Sequence, residues 1–179
     1  MKIYLDIDDT LLNTDIYNTR PANHLKPFIE YMLSNHDVYW LTTHCNGDST
    51  IPTSYMSRYV STDMIPLLMK IKPTRWETLK TDAINMEEDF LWFDDVLSWG
   101  DEKALEKKGK LGSYIKVDLD ENPNILLEFI YQSPICYGFI VDIFKKSYML
   151  HIWTWPKFGL GWHRKIDGPN RSIFSIRRY

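Results

Sequence analysis

Cysteine is scarce in this chain: Cys45 and Cys136 are the only two among 179 residues. Two thiols give no disulfide framework and no metal-binding spacing. A reducing, cytoplasmic setting is therefore expected. Long apolar runs are missing as well. No stretch approaches the roughly 18–20 apolar residues that span a bilayer, so no membrane partner is expected. An apolar strand already begins at Ile3, so a cleaved signal peptide is not expected. Internal repeats and low-complexity segments are also lacking, which argues against a solenoid or a tract-like linker. What remains is an ordinary globular composition, 44% apolar, long enough for one domain with an appendage.

The most telling residues are the first dozen, Lys2-Ile3-Tyr4-Leu5-Asp6-Ile7-Asp8-Asp9-Thr10-Leu11-Leu12. Ile3-Tyr4-Leu5 reads as a buried strand that runs straight into three carboxylates. Carboxylates at the carboxyl end of a parallel strand lie in the crevice where open α/β sheets bind ligands. Asp6 and Asp8 are two apart, so on an ideal strand they would share a face. Two anions that close repel unless a cation or a proton lies between them. A divalent cation with oxygen ligands resolves the conflict, and Mg²⁺ commonly combines one or two carboxylates with a phosphate.

The pattern Asp6-x-Asp8-x-Thr10 after a hydrophobic strand resembles the first motif of the haloacid dehalogenase-like superfamily. Three further segments follow in that family's order. Val38-Tyr39-Trp40-Leu41 is an apolar run ending at Thr42, like the second motif. Lys80 ahead of Thr81-Asp82-Ala83-Ile84 resembles the motif lysine, with Lys72 as the alternative. Phe90-Leu91-Trp92-Phe93 ends in Asp94-Asp95, like the fourth motif. The resemblance covers residues 1–133. It implies a Rossmann-like, mostly parallel sheet flanked by helices.

The chemistry the resemblance implies agrees with that of the residues themselves. A carboxylate can act as a nucleophile and form an aspartyl-phosphate, and Asp6 is first off its strand. Asp8 is the expected general acid, protonating the leaving oxygen and later activating water. Asp6, Asp94 and Asp95 are the expected Mg²⁺ ligands, and the resemblance adds the backbone carbonyl of Asp8. Which of Asp94 and Asp95 binds directly stays open, with Asp95 acting through water or holding Lys80 in the alternative. Thr42 is expected to donate to a phosphoryl oxygen, with Thr43 as the alternative contact. Lys80 is expected to add positive charge there and to keep Asp6 ionised. Thr10 is expected to secure the loop by bonding its backbone, or else to touch substrate, and Asp9 to be structural. The bland reading of Asp8-Asp9-Thr10 is a turn or helix cap.

Between the motifs the chain reads as βα units. Leu25, Phe28, Ile29, Met32 and Leu33 have helical spacing, with Asn23 as cap and Pro27 tolerated in the first turn. Asp101 is a candidate cap for a short helix ending at Gly109. Ser113–Val117 reads as a strand. Asn122-Pro123 is expected to open a helix with proline at its first position. Residues 46–76 are ambiguous, because Pro52, Pro66 and Pro73 interrupt any long helix. Both gaps that carry cap domains in the resembled family are short here. A capless or minimally capped form is therefore implied, and such forms tend to act on large substrates.

Residues 134–179 depart from that pattern. Ile140–Phe144 and Tyr148–Trp153 read as strands around Lys145-Lys146-Ser147, and Ile173–Ile176 as a last one, which makes a small antiparallel β element. This segment carries eight basic and two acidic residues, a net +6; the whole chain carries −3, which leaves −9 on residues 1–133. Trp153, Trp155, Phe158 and Trp162 are interleaved with the basic residues. Stacking with phosphate contacts is how single strands are held without sequence readout, so a nucleic acid is a candidate partner. The competing reading is a structural or gating element that buries one aromatic face. His151 and His163 have no partner spacing for a metal.

The leading functional reading is a Mg²⁺-dependent phosphomonoester hydrolase, its substrate a small molecule, a nucleotide or a nucleic-acid end. The main alternative is a binding or regulatory module of the same fold with little or no turnover. Dehalogenation is disfavoured, because Asp8 and Asp94 suit phosphate chemistry. Phosphoryl transfer to an organic acceptor is a third option.

Overall fold

The computed structural model describes residues 1–15 and 17–132. The chain begins with β1 (Lys2–Leu5) and a tight turn. A small antiparallel hairpin follows, β2 (Leu12–Asn13) paired with β3 (Arg20–Pro21). Then come α1 (Leu25–Asn35), β4 (Asp37–Trp40), α2 (Thr50–Met56) and α3 (Ile65–Leu68). A 3-10 turn at Lys80–Ala83 leads into β5 (Phe90–Asp94), α4 (Trp99–Lys107), β6 (Tyr114–Lys116) and α5 (Ile125–Gln132).

Strands β4, β1, β5 and β6 form one sheet in that order, every pair parallel. The expected parallel sheet flanked by helices is thus present. Parallel strands are buried on both faces and need apolar residues at nearly every position. Here the two faces differ in kind. Ile3, Leu5, Val38, Trp40 and Phe93 join Phe28 and Ile29 of α1, Met56 of α2, Leu68 of α3 and Leu126 of α5 in one core. Tyr4, Phe90 and Trp92 join Leu105 of α4 and Ile84 in the other. Tyr39 and Tyr114 pack against this second, aromatic layer. Burying each large side chain contributes about 1.5–3 kcal/mol.

The register sets the site. Leu5 pairs with Trp40 on one side and Phe93 on the other, so β1, β4 and β5 end level. From β1 the chain goes first to β4 and then crosses to β5 on the opposite side. Strand order therefore reverses beside β1, and a reversal point of this kind opens a crevice at the carboxyl ends. Asp6 and Asp94 stand at that crevice.

Several local expectations are corrected. His24, in the left-handed conformation, precedes α1 in place of Asn23. Ser98 caps α4 by accepting from the Asp101 N–H; Asp101 lies inside the first turn. Helix α5 starts at Ile125, two residues past Pro123, because the Asn122 side chain accepts from the Asn124 N–H and holds a turn there. The ambiguous stretch contains α2, a 3-10 turn at Thr62–Met64 and α3, each short, with Pro52 and Pro66 within the first turns of α2 and α3. The expected C-terminal β element, its boundary at residue 134 and Cys136 lie outside the described residues. Among the described residues no helix is long and apolar enough to cross a membrane.

Candidate active site

Asp6 is the first residue past β1, and its N–H donates to the Phe93 carbonyl at 3.0 Å. Asp94 is the last residue of β5. Their side chains are almost inaccessible, 6% and 1% exposed as residues. Asp94 is gripped from several directions. Its Oδ2 accepts from Trp92 Nε1 at 2.9 Å, its Oδ1 from the Val96 N–H at 3.2 Å, and its carbonyl from the Tyr114 hydroxyl at 3.0 Å. The Trp92 bond is a product of strand geometry, since residues two apart lie on one face.

Lys80 bridges the two carboxylates, 3.1 Å from Asp6 Oδ1 and 2.6 Å from Asp94 Oδ2. It reaches them from the 3-10 turn. There Asp101 Oδ1 accepts from the Thr81 N–H at 2.9 Å and the Thr81 hydroxyl at 2.8 Å. Gly100 lets α4 approach this turn: a Cβ at that position would lie 2.6 Å from Leu79 Cδ2. Lys72, the alternative, pairs with Asp37 at the opposite end of β4. Of the two options for Asp95, holding Lys80 is not the one seen: the ion-pair partners of Lys80 among the described residues are Asp6 and Asp94.

One lysine does not balance two buried carboxylates. Burial, then the charge of Asp94, pushes Asp6 up to about 7 against the opposing pull of Lys80. Lys80 pulls Asp6 toward the ionised form, as expected, but burial and Asp94 outweigh that pull. Burial raises Asp94 too, despite Lys80. Asp95 is raised by partial burial and by Asp94. Lys80 is itself raised: burial would lower it, but Asp6 and Asp94 together outweigh that.

Asp8 has different company. Strand β1 stops at Leu5, and the Ile7 carbonyl accepts from the N–H groups of Thr10, Leu11 and Leu12. The spacing of two therefore no longer ties Asp8 to Asp6. The Tyr55 hydroxyl donates to Asp8 Oδ1 at 2.9 Å, and His44 Nε2 lies 2.8 Å from Asp8 Oδ2. The two rings stack at 3.8 Å with an 18° interplanar angle. Sequence reasoning missed both residues. His44 had a faint signal, a polar residue two past Thr42 in the loop after a strand. Tyr55 had none, because it arrives on a short helix in the proline-broken stretch.

The threonines separate by burial. Thr42 is fully buried just past β4, and its hydroxyl accepts from the His44 N–H at 3.3 Å. Thr43 is exposed. Thr10 is buried, but its hydroxyl has no hydrogen-bond partner among the described residues, so the expected bond to the loop backbone is not made. Asp9 secures the loop in its place: with φ 52° it accepts from the Thr14 N–H at 2.9 Å and the Thr14 hydroxyl at 2.5 Å.

Carboxylate oxygens of Asp6, Asp94 and Asp95 lie within 4.8 Å of one another. An octahedral ion with bonds of about 2.1 Å spans about 4.2 Å between opposite ligands. The cluster offers only oxygen donors, as hard divalent cations take, and its unbalanced negative charge favours a cation. Beside it, a cleft of about 360 Å³ is lined by Asp9, Asn13, Thr14, Asp95 and residues 116–120. Comparison with models of known protein families, with curated proteins and with solved structures finds no match.

Proposed function

We propose that this protein is a Mg²⁺-dependent phosphomonoester hydrolase working through an aspartyl-phosphate at Asp6. The observation that carries the reading is the convergence of Asp6, Asp94, Asp95 and Lys80 at the strand-order reversal, with Asp6 and Asp94 bridged by one lysine. A bound Mg²⁺, held by Asp6, Asp94 and Asp95, would offset phosphoryl charge and stabilise ionised Asp6. The resemblance adds the Asp8 carbonyl to that set.

The Asp6 carboxylate attacks phosphorus as the bond to the leaving oxygen breaks, and Asp8 gives that oxygen its proton. A water then attacks the phosphorus of the aspartyl-phosphate, losing a proton to Asp8, and phosphate leaves with Asp6 restored. Lys80, and Thr42 as donor, stabilise the transferring group electrostatically. The basic, aromatic composition of residues 134–179 tilts the substrate toward nucleotides or nucleic-acid ends.

The test is phosphate release from a panel of phosphomonoesters, nucleotides and phosphorylated oligonucleotides, in Mg²⁺ and in EDTA. Release should require the metal and vanish in Asp6→Asn with the fold intact. Turnover retained by Asp6→Asn would sink the reading. Silence of the wild type on every substrate would leave a binding module.

A further inference from the structure

Asp8 is more open than the buried Asp6 and Asp94, its side chain 35% exposed. A short carboxylate so placed samples several rotamers unless something holds it. Two side chains do, and they come from separate places: His44 from the loop after β4, Tyr55 from α2. Their stacking fixes each against the other. Met56, fully buried, anchors α2 in the core. The edge of Tyr59 and the Arg58 guanidinium, 5.8 Å from the Tyr55 ring, complete the packing around Tyr55.

We propose that His44 and Tyr55 are positioning residues that set the direction in which Asp8 gives and takes its proton. The inference rests on the phosphatase reading above. Each carboxyl oxygen has two lone-pair sites. The Tyr55 hydroxyl takes one on Oδ1, and His44, as its Nε2–H tautomer, takes one on Oδ2. The proton carried by Asp8 then has only the remaining two, and their directions are set by a pinned carboxyl plane. In the first step the Asp8 O–H bond breaks and the leaving oxygen gains that hydrogen as its bond to phosphorus breaks. In the second, water returns a proton to Asp8 as its oxygen bonds to phosphorus.

The test uses leaving groups. An acidic phenol departs without a proton, whereas an alcohol needs one. The ratio kcat/KM reports the steps up to that departure and excludes the later attack of water. Full-length wild type, Tyr55→Phe, His44→Ala and Asp6→Asn are compared on 4-nitrophenyl phosphate and on an alkyl phosphate, with Mg²⁺. Tyr55→Phe and His44→Ala should each lose about 10–100-fold in kcat/KM on the alkyl ester, part of the 10²–10⁴ a general acid supplies. On the aryl ester each should lose less than about 3-fold, as expected when the proton is not needed. Tyr55→Phe keeps the ring stack and removes only the hydroxyl, so it decides the matter if His44→Ala misfolds. Equal losses on both esters, or none, overturn the inference while activity absent only in Asp6→Asn leaves the phosphatase reading standing. Release from neither ester by the wild type overturns the inference, and silence on the whole substrate panel overturns the phosphatase reading with it.

Discussion

Asp6 and Asp94 face one lysine across 3.1 and 2.6 Å, and the imbalance has a thermodynamic signature. Asp6 rises from 3.8 to about 7, by burial first and Asp94 second. The folded chain thus holds this proton more tightly than the unfolded chain. By linkage, the stability Asp6 contributes is fully present below its unfolded value and is lost as pH rises through about 7. In EDTA the melting temperature should therefore fall between pH 5 and pH 8. A divalent cation favours the ionised form, so the gain from Mg²⁺ over EDTA should grow over the same window. At a free concentration one hundred times Kd, the gain is about 2.7 kcal/mol. That corresponds to roughly 5–10 °C for a chain of this size. Thermal melts of wild type and Asp6→Asn across pH, with and without Mg²⁺, check this. A wild-type Mg²⁺ gain that does not change with pH would count against the carboxylate cluster as the site.

Among the elements, the Lys80 turn is tied to an anchor on α4. Asp101, 4% exposed on α4, accepts from the Thr81 N–H and hydroxyl and from the Ser98 hydroxyl. Asp101→Ala strands those donors, at a cost of about 1–3 kcal/mol for a buried unsatisfied group, and frees the turn that carries Lys80. Melting temperature and turnover should both drop. Asp101→Asn, which keeps an acceptor, should retain more of each. Full turnover in a destabilised Asp101→Ala would show that the turn does not depend on this anchor. The same turn shows what was legible in the sequence. The strands β1, β4 and β5 announce themselves as apolar runs stopped by Asp6, Thr42 and Asp94, because parallel strands must be apolar on both faces. Lys80 has no such run, and its choice over Lys72 depends on α4 packing through Gly100, a tertiary contact. The hairpin β2–β3 is too short for any period to show. Helix boundaries moved where a side chain held a turn, as at Ser98 and Asn122. Tyr55 was invisible because its role comes from where α2 docks.

For the whole molecule, charge decides which substrates are credible. Residues 1–133 carry −9 and residues 134–179 carry +6. The cleft beside the metal-ligand candidates includes Asp9, Asp95, Asp118 and Asp120, with Lys116 as its cation. That rim repels a polyanion, so an oligonucleotide substrate would have to draw its affinity from the basic segment. Binding of this kind depends on counterion release and weakens steeply with salt. With three phosphates of a single strand contacted, the KM for a phosphorylated oligonucleotide should rise roughly 20-fold between 50 and 200 mM salt. A small aryl phosphate makes no such contacts, and its KM should move by less than about 3-fold over that range, ordinary screening being its only salt effect. Steady-state kinetics of the full-length protein on both substrates at constant Mg²⁺ separates the cases. A steep oligonucleotide response beside a flat aryl response assigns the +6 segment to nucleic-acid ends. Matching shallow responses assign the substrate to small phosphomonoesters and leave the basic segment to a structural or gating role.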